Sequence, residues 1–283
     1  MTARVGFVGL GRMGLPMARR LVDAALDPLV YDAAEAPRLA MERHGARVAA
    51  SIRMIGEQCD VIGVCVPADH HVRAVCEGAD GLLAVARPGT VIAIHSTIRP
   101  ATIVELGRAA SARGLGLLDA CISGGEVGAA EGTLVYMVGG ATEDVERCRA
   151  MFQATGRLVV HTGELGTGMR MKLCHNAMNY VTLRAVFEAW RLARSAGFPD
   201  AMLEEITQAS GVLSDRMRSY FGSLKLPPDV VASDAVRARL VHYLAVADKD
   251  LGIALELARD LGVDLPVTQL CAEGIAEVYG QSR

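Results

Sequence analysis

The stretch that most restricts what this chain can fold into is its beginning, residues 4–32. Residues 4–10 (RVGFVGL) form a short apolar run that stops at glycine, and MGLPMARRLVDA follows, with Met13, Met17 and Leu21 at helical spacing. Strand, turn and helix therefore come in that order. The turn holds Gly9, Gly11 and Gly14 in G-x-G-x-x-G spacing, with Leu10, Arg12 and Met13 between them. The first glycine permits a tight turn, the second lets a pyrophosphate approach the backbone, and the third lets helix and strand pack closely. The N-terminus of the helix then faces the phosphates. A second apolar strand, residues 28–31, ends in Asp32, about twenty residues past the turn, where an acid suits the ribose 2′-hydroxyls and repels a 2′-phosphate. The combination predicts a dinucleotide site for NAD, with Arg38 placed to keep NADP possible.

The same rhythm continues. Residues 61–66 (VIGVCV) read as a continuous apolar strand ending at Pro67, and residues 90–94 (TVIAI) as another, ending at His95, Ser96 and Thr97. Ligands gather at the carboxyl ends of parallel strands, so Val66, Pro67, Ser96 and Thr97 are expected to line the cofactor cleft. His70, His71 and His95 are weaker candidates, because a single histidine near a strand end is usually solvated or hydrogen-bonded.

Residues 116–120 lead into CISGGEVGAAEGTLVYMVGG. Ser123, Gly124 and Gly125 follow a strand end, and backbone without side chains exposes successive N–H groups beside the serine hydroxyl. That concavity suits a small anion such as a carboxylate, although a glycine-rich hairpin without ligand has the same look. Residues 133–138 alternate into a strand, 143–154 read as one helix, and 157–161 as a last short strand.

Near residue 163 the pattern changes to helical periodicity at about 165–195, 200–209, 233–243, 247–260 and 266–279, punctuated by Gly197, Gly211, Gly222, Gly262, Pro199, Pro227 and Pro228. An α/β domain, residues 1–163, is expected to precede an all-helical one, residues 164–283, with the long helix itself joining them. A chain of 283 residues is long enough for both. Hydrophobic residues make up 51% and charged residues 22%, which places the chain among soluble globular proteins and away from disordered ones. The net charge of −3 offers no general attraction to nucleic acid or acidic membrane. The seven cysteines form no C-x-x-C pair, so they read as reduced thiols of a cytoplasmic protein rather than a disulfide framework or zinc cluster. No apolar run approaches the roughly 18 residues of a membrane span. The start shows no cleavage site and reads as mature structure.

Within GTGMRMKLCHNAMNY, Lys172, Asn176 and Asn179 recur at i, i+4 and i+7 and share one helical stripe, while Leu173, Ala177, Met178 and Val181 are expected to form an apolar packing face. The triplet Asp248, Lys249, Asp250 is expected to open a helix.

Together GFVGLGRMGLPMA, the SGG stretch with GAAEGTL and MVGG, GTGMRMKLCHN and DKDL resemble the β-hydroxyacid dehydrogenase family, which contains 3-hydroxyisobutyrate dehydrogenase and tartronate semialdehyde reductase, with 6-phosphogluconate dehydrogenase as a larger relative. The resemblance covers nearly the whole chain and implies a doubly wound Rossmann-type sheet followed by an all-α domain. It implies Lys172 as catalytic lysine and Ser123, Gly124, Gly125 and Asn176 on the substrate's carboxylate and hydroxyl. The glycine turn, Asp32, Val66, Pro67 and Thr97 would take the dinucleotide, and Lys249 would close over cofactor and substrate. No metal is implied. Homodimers or homotetramers built through the helical domain are. Hydride would pass between the carbinol carbon of a short 3-hydroxyacid, such as 3-hydroxyisobutyrate, and the nicotinamide, while Lys172 exchanges the hydroxyl proton.

Three positions depart from the family pattern: His175 in place of a first asparagine, Cys121-Ile122 in place of proline-valine, and His95 in place of an aspartate. Two added imidazoles near the cleft would admit a larger or differently charged acid. The alternatives are an imine reductase, against which the retained Lys172 counts, and a dinucleotide-binding module without catalysis.

Overall fold

The computed structural model describes residues 3–281. Short apolar strands alternate with helices: β1 (Val5–Val8), α1 (Gly14–Asp23), β2 (Leu29–Tyr31), α2 (Glu35–Arg43), β3 (Arg47–Val48), α3 (Ile52–Gln58), β4 (Val61–Val64), α4 (Asp69–Cys76), α5 (Leu82–Val85), β5 (Val91–Ile94), α6 (Pro100–Ser111) and β6 (Gly116–Ser123). Then come α7 (Gly125–Glu131), β7 (Leu134–Gly139), α8 (Thr142–Arg147), α9 (Arg149–Thr155) and β8 (Gly156–Gly163). After these the chain is helical: α10 (Thr167–Ser195), α11 (Asp200–Ala209), α12 (Asp215–Leu224), α13 (Pro228–Val231), α14 (Asp234–Asp260) and α15 (Pro266–Val278).

The strands form one sheet in the order β3-β2-β1-β4-β5-β6-β7-β8. β1 to β6 run parallel, β7 turns back antiparallel to β6, and β8 runs parallel to β7. The reversal follows from the connection, since the chain between β6 and β7 is too short for the crossover that parallel neighbours need. Alternate residues of a strand feed opposite faces. Val5 and Phe7 of β1 join Met17, Leu21, Tyr136 and Phe152 in one core, whereas Val8 joins Ile62, Val64, Ile92 and Ile94 in the other. With both faces covered, the strands are apolar throughout, which is why they read as continuous runs.

The chain divides into two compact units, the first ending at Lys172 and the second beginning at Leu173. The division lies inside α10 rather than at the end of the strand pattern, because the first turn of that helix is packed into the sheet unit. A Cβ on Gly168 would lie 2.5 Å from the Asp119 carbonyl and 2.6 Å from that of Met137. The second unit has its own core, in which Tyr180, Leu183 and Phe187 of α10 meet Leu251 of α14 and Ile275 of α15. Among the described residues no helix is long and apolar enough to cross a membrane.

Several elements differ from expectation. The stretch 143–154 is two helices, parted at Cys148. The two helices expected at 233–243 and 247–260 are the single helix α14, because Leu244, Ala245 and Val246 hold no breaker and continue the turn. Asp248, Lys249 and Asp250 therefore lie in mid-helix and do not open one. Met178, expected on the packing face of α10, is 68% exposed. At 100° per residue it stands about 140° around the helix from Leu173, which is buried.

Candidate active site

The carboxyl ends of β1, β2, β4, β5 and β6 lie along one edge of the sheet, and the glycine turn sits there. Gly9 has φ +95°, and a Cβ on it would lie 2.3 Å from the Cys65 carbonyl. Its N–H donates to the Tyr31 carbonyl at 2.9 Å. A Cβ on Gly14 would lie 1.8 Å from the Gly9 carbonyl, so helix and turn touch backbone to backbone. A Cβ on Gly11 would meet nothing within 4 Å. The open side of the turn is thus at the middle glycine, where a pyrophosphate has room. Asp32 is tied to this turn: its Oδ2 accepts from the Leu10 N–H at 2.6 Å and its Oδ1 from the Ala34 N–H at 2.8 Å. Each carboxylate oxygen keeps a second lone pair for a sugar hydroxyl. These residues fit a dinucleotide. Arg38 rests over the Tyr31 ring and donates to the Ala34 carbonyl. Met13 is partly buried against the first core, and Arg12 is exposed.

Ser96 is buried, and its hydroxyl accepts from the Val66 N–H at 2.9 Å, locking the ends of β4 and β5 together. Thr97 is half-buried beside it, and Pro67 is exposed on the same rim. β6 runs through to Ser123, three residues beyond the expected strand end. Gly124 (φ +139°) and Gly125 (φ +66°) then turn the chain into α7, and a Cβ on Gly125 would meet nothing within 4 Å. Arg12 and Glu126 form an ion pair at 3.2 Å that joins the glycine turn to this corner. Both ends are half-exposed, so the pair orders the rim more than it stabilises the fold. Sequence reasoning had no signal for a pair so far apart in the chain.

Lys172 is only 8% exposed, on the buried side of α10. Lysine is almost never buried unless it is paired or used. The second unit holds Asn176 and Lys249. Asn176 Nδ2 donates to Asp250 Oδ2 at 2.7 Å, the Tyr180 hydroxyl donates to the same oxygen at 3.4 Å, and Lys249 Nζ lies 2.8 Å from Asp250 Oδ1. Asp250, 3% exposed, gathers this cluster. Sequence reading missed its part, because a helix-opening triplet gives no reason to bury one of its acids.

The histidines divide. His175 is half-buried, with Nδ1 3.3 Å from the Asn176 side-chain oxygen. His70 and His71 are exposed and lie against each other with tilted rings, centroids 3.9 Å apart. His95 is not near the cleft surface at all: it is 2% exposed among Phe7, Tyr136 and Phe152. The alternation of β5 explains this, since Val91, Ala93 and His95 face one core while Ile92 and Ile94 face the other. Its Nδ1 donates to the Ala120 carbonyl at 2.9 Å, and its Nε2 has no partner.

Burial pushes the His95 imidazole down to about 4. The folded state therefore holds it neutral, while an unfolded chain takes up a proton below about pH 6.5. Stability from this residue is complete above that pH and is lost as pH falls toward 4, with about 2 kcal/mol gone by pH 5. His95→Leu is expected to be less stable at pH 7.5, having lost a hydrogen bond, yet to lose about 2 kcal/mol less than the natural chain between pH 7.5 and pH 5. Urea unfolding at the two pH values measures this, and equal losses would refute it.

Residues 4–163 match the NAD binding domain of 6-phosphogluconate dehydrogenase, and residues 166–282 match the NAD-binding region of NADP-dependent 3-hydroxyisobutyrate dehydrogenase. The chain is 35% identical to the NAD-dependent L-serine dehydrogenase of Pseudomonas aeruginosa, over 94% of its own length and 89% of that protein's. It is 32% identical to the 3-hydroxyisobutyrate dehydrogenase of the same organism, over 98% and 92%. A solved structure of Mycobacterium tuberculosis 3-hydroxyisobutyrate dehydrogenase with L-serine superimposes with a TM-score of 0.80 at 29% identity, over 99% of this chain and 94% of that one.

Proposed function

The chain belongs to the β-hydroxyacid dehydrogenase family, an NAD(P)-dependent group, and from that premise we propose that it oxidises a short 3-hydroxyacid with Lys172 as the group that exchanges the hydroxyl proton. The relatives named for L-serine and for 3-hydroxyisobutyrate have substrates with a common core, a carboxylate with a hydroxyl on the β-carbon. The Ser123 hydroxyl and the backbone N–H groups of Gly124 and Gly125 bind the carboxylate. Lys172 in its neutral form accepts the hydroxyl proton as the carbonyl forms and returns it in the reverse direction. Asn176, one turn further along α10, orients the hydroxyl. Nicotinamide, when bound, supplies the hydride acceptor. Gly9, Leu10, Gly11, Arg12, Met13 and Gly14 would hold the pyrophosphate of the dinucleotide, with Val66, Pro67 and Thr97 along the rim and Lys249 as a further contact. Asp32 favours NAD over NADP, because a 2′-phosphate would meet its carboxylate. The observation that carries the reading is the burial of Lys172, a chargeable amine kept from bulk water in the unit that also holds Ser123.

α11 supports a homodimer or homotetramer built through the helical part. That helix has no buried residue, and Phe198, Met202, Ile206 and Val212 around it are between 44% and 75% exposed. The thiols fit a reducing compartment such as the cytoplasm, the seven cysteines being thiols and not disulfides.

A panel of 3-hydroxyacids and their semialdehydes, each with NAD and with NADP and read by the absorbance of the reduced nicotinamide, tests the reading. At least one 3-hydroxyacid is expected to reduce NAD faster than NADP. Cofactor binding without turnover on any member would sink it.

A further inference from the structure

Asp119 acts on Lys172, on the reading of that lysine given above. Asp119 lies on β6, four residues before Ser123, and is fully buried. Its Oδ1 accepts from the Gly166 N–H at 2.9 Å and its Oδ2 from the Met169 N–H at 2.6 Å. Those two donors belong to the start of α10, where the first N–H groups of a helix have no partner inside it. Helices ordinarily take this cap from a serine, threonine, asparagine or aspartate just before them. Here glycine precedes Thr167, and the cap comes from a strand 47 to 50 residues earlier in the chain.

The surroundings leave the helix start no freedom. A Cβ on Gly139 would lie 2.4 Å from Asp119 Oδ1 and 2.9 Å from the Gly168 nitrogen. Met169 is fully buried, and its sulfur accepts from the Ile98 N–H at 3.3 Å. Lys172 follows Met169 by three residues, less than one turn. We propose that Asp119 is a positioning residue for the reaction: by capping α10 from the strand that ends in Ser123, it sets where the Lys172 amine stands relative to the carboxylate-binding corner.

The chemistry of the cap agrees. Both oxygens accept from N–H groups, a pattern suited to the ionised carboxylate, and a negative charge at a helix N-terminus is favourable. Burial raises the Asp119 pKa, while the backbone N–H groups of Gly166 and Met169 oppose that rise. Asparagine at this position keeps the shape, but turns an N–H₂ toward a backbone N–H and lets the helix start shift. Misplacing a reacting group by about 1 Å can cost about 10²-fold in rate.

A double-mutant cycle separates positioning from mere structure. Asp119→Asn is expected to lower kcat by about tenfold to a hundredfold per site, sites being counted by NADH titration, with the hydroxyacid KM and the NADH Kd within about threefold. In a Lys172→Ala background the same substitution should lower kcat no further, because the group it positions is gone. A residue that only supports the fold would act equally in both backgrounds, and that additive result would overturn the proposal, as would an unchanged kcat in Asp119→Asn. Should Asp119→Asn fold poorly, Asp119→Ser, which accepts from one N–H only, carries the same cycle. If instead Lys172→Ala itself leaves kcat untouched, the reading of Lys172 fails, and with it the group through which Asp119 is argued to act.

Discussion

Lys172→Ala is expected to lower turnover by about 10² to 10⁴-fold while the affinity for NADH stays within a few-fold. The first figure is the usual worth of a positioned acid–base group. The second follows because the glycine turn and Asp32, which hold the dinucleotide in this reading, belong to other elements. Truncating a buried side chain also leaves a cavity, so Lys172→Met, which keeps the apolar stem and removes the amine, should show the same kinetic loss with less effect on stability. Lys172→Arg decides between charge and proton exchange. Guanidinium stays protonated at any working pH, so it keeps the charge and cannot accept the hydroxyl proton. Steady-state kinetics on the best acid of the panel, with NADH fluorescence titration of each variant, reads all three. Turnover preserved in Lys172→Ala would remove the lysine from the mechanism, and turnover preserved in Lys172→Arg would leave it an electrostatic part only.

The glycine turn supports a second pair of large and opposite effects. Gly11→Val should raise the Kd for NADH by about a hundredfold, roughly 2.8 kcal/mol, while the melting temperature stays nearly constant. The added side chain enters space that is open in the fold but needed for the pyrophosphate. Gly14→Ala should act first on stability, because its Cβ would lie 1.8 Å from the Gly9 carbonyl, and any loss of NADH affinity follows from the displaced turn. Overpacking against backbone costs about 3 kcal/mol, which for a chain this long lowers the melting temperature by about 6 to 12 °C. Thermal melts and NADH titrations of the two variants give the four numbers. A stable Gly11→Val that binds NADH normally would show that the turn is not the phosphate site.

Much of this architecture was legible because its signals are local. The three glycines could be given separate tasks from their spacing alone, and Gly9 and Gly14 do have the turn and the close approach expected of them. Strands covered on both faces announce themselves as unbroken valine and isoleucine runs. What escaped was tertiary. His95 stood beside Ser96 and Thr97 and was expected at the cleft, yet the two-residue alternation of β5, followed one step past Ile94, sends it into the aromatic core. Asp119 and Asp250 looked like any acids in the sequence. Their importance lies in partners far along the chain, Gly166 and Met169 for one, Asn176 and Tyr180 for the other. The sequence reads as two helices over 233–243 and 247–260, yet no residue between them can break a helix and α14 runs through.

The uninterrupted course of α10 through the division between the two units makes the chain unequal in its tolerance of length changes. One residue inserted between Met169 and Lys172 would swing the lysine by 100° about the helix axis and advance it 1.5 Å, with Asp119 still gripping the helix start. The same insertion in the loop after Ser195 would leave that register untouched. Homologous genes should therefore vary freely in length around the later loops and keep a fixed count of codons from the aspartate's partner, Met169, to the lysine.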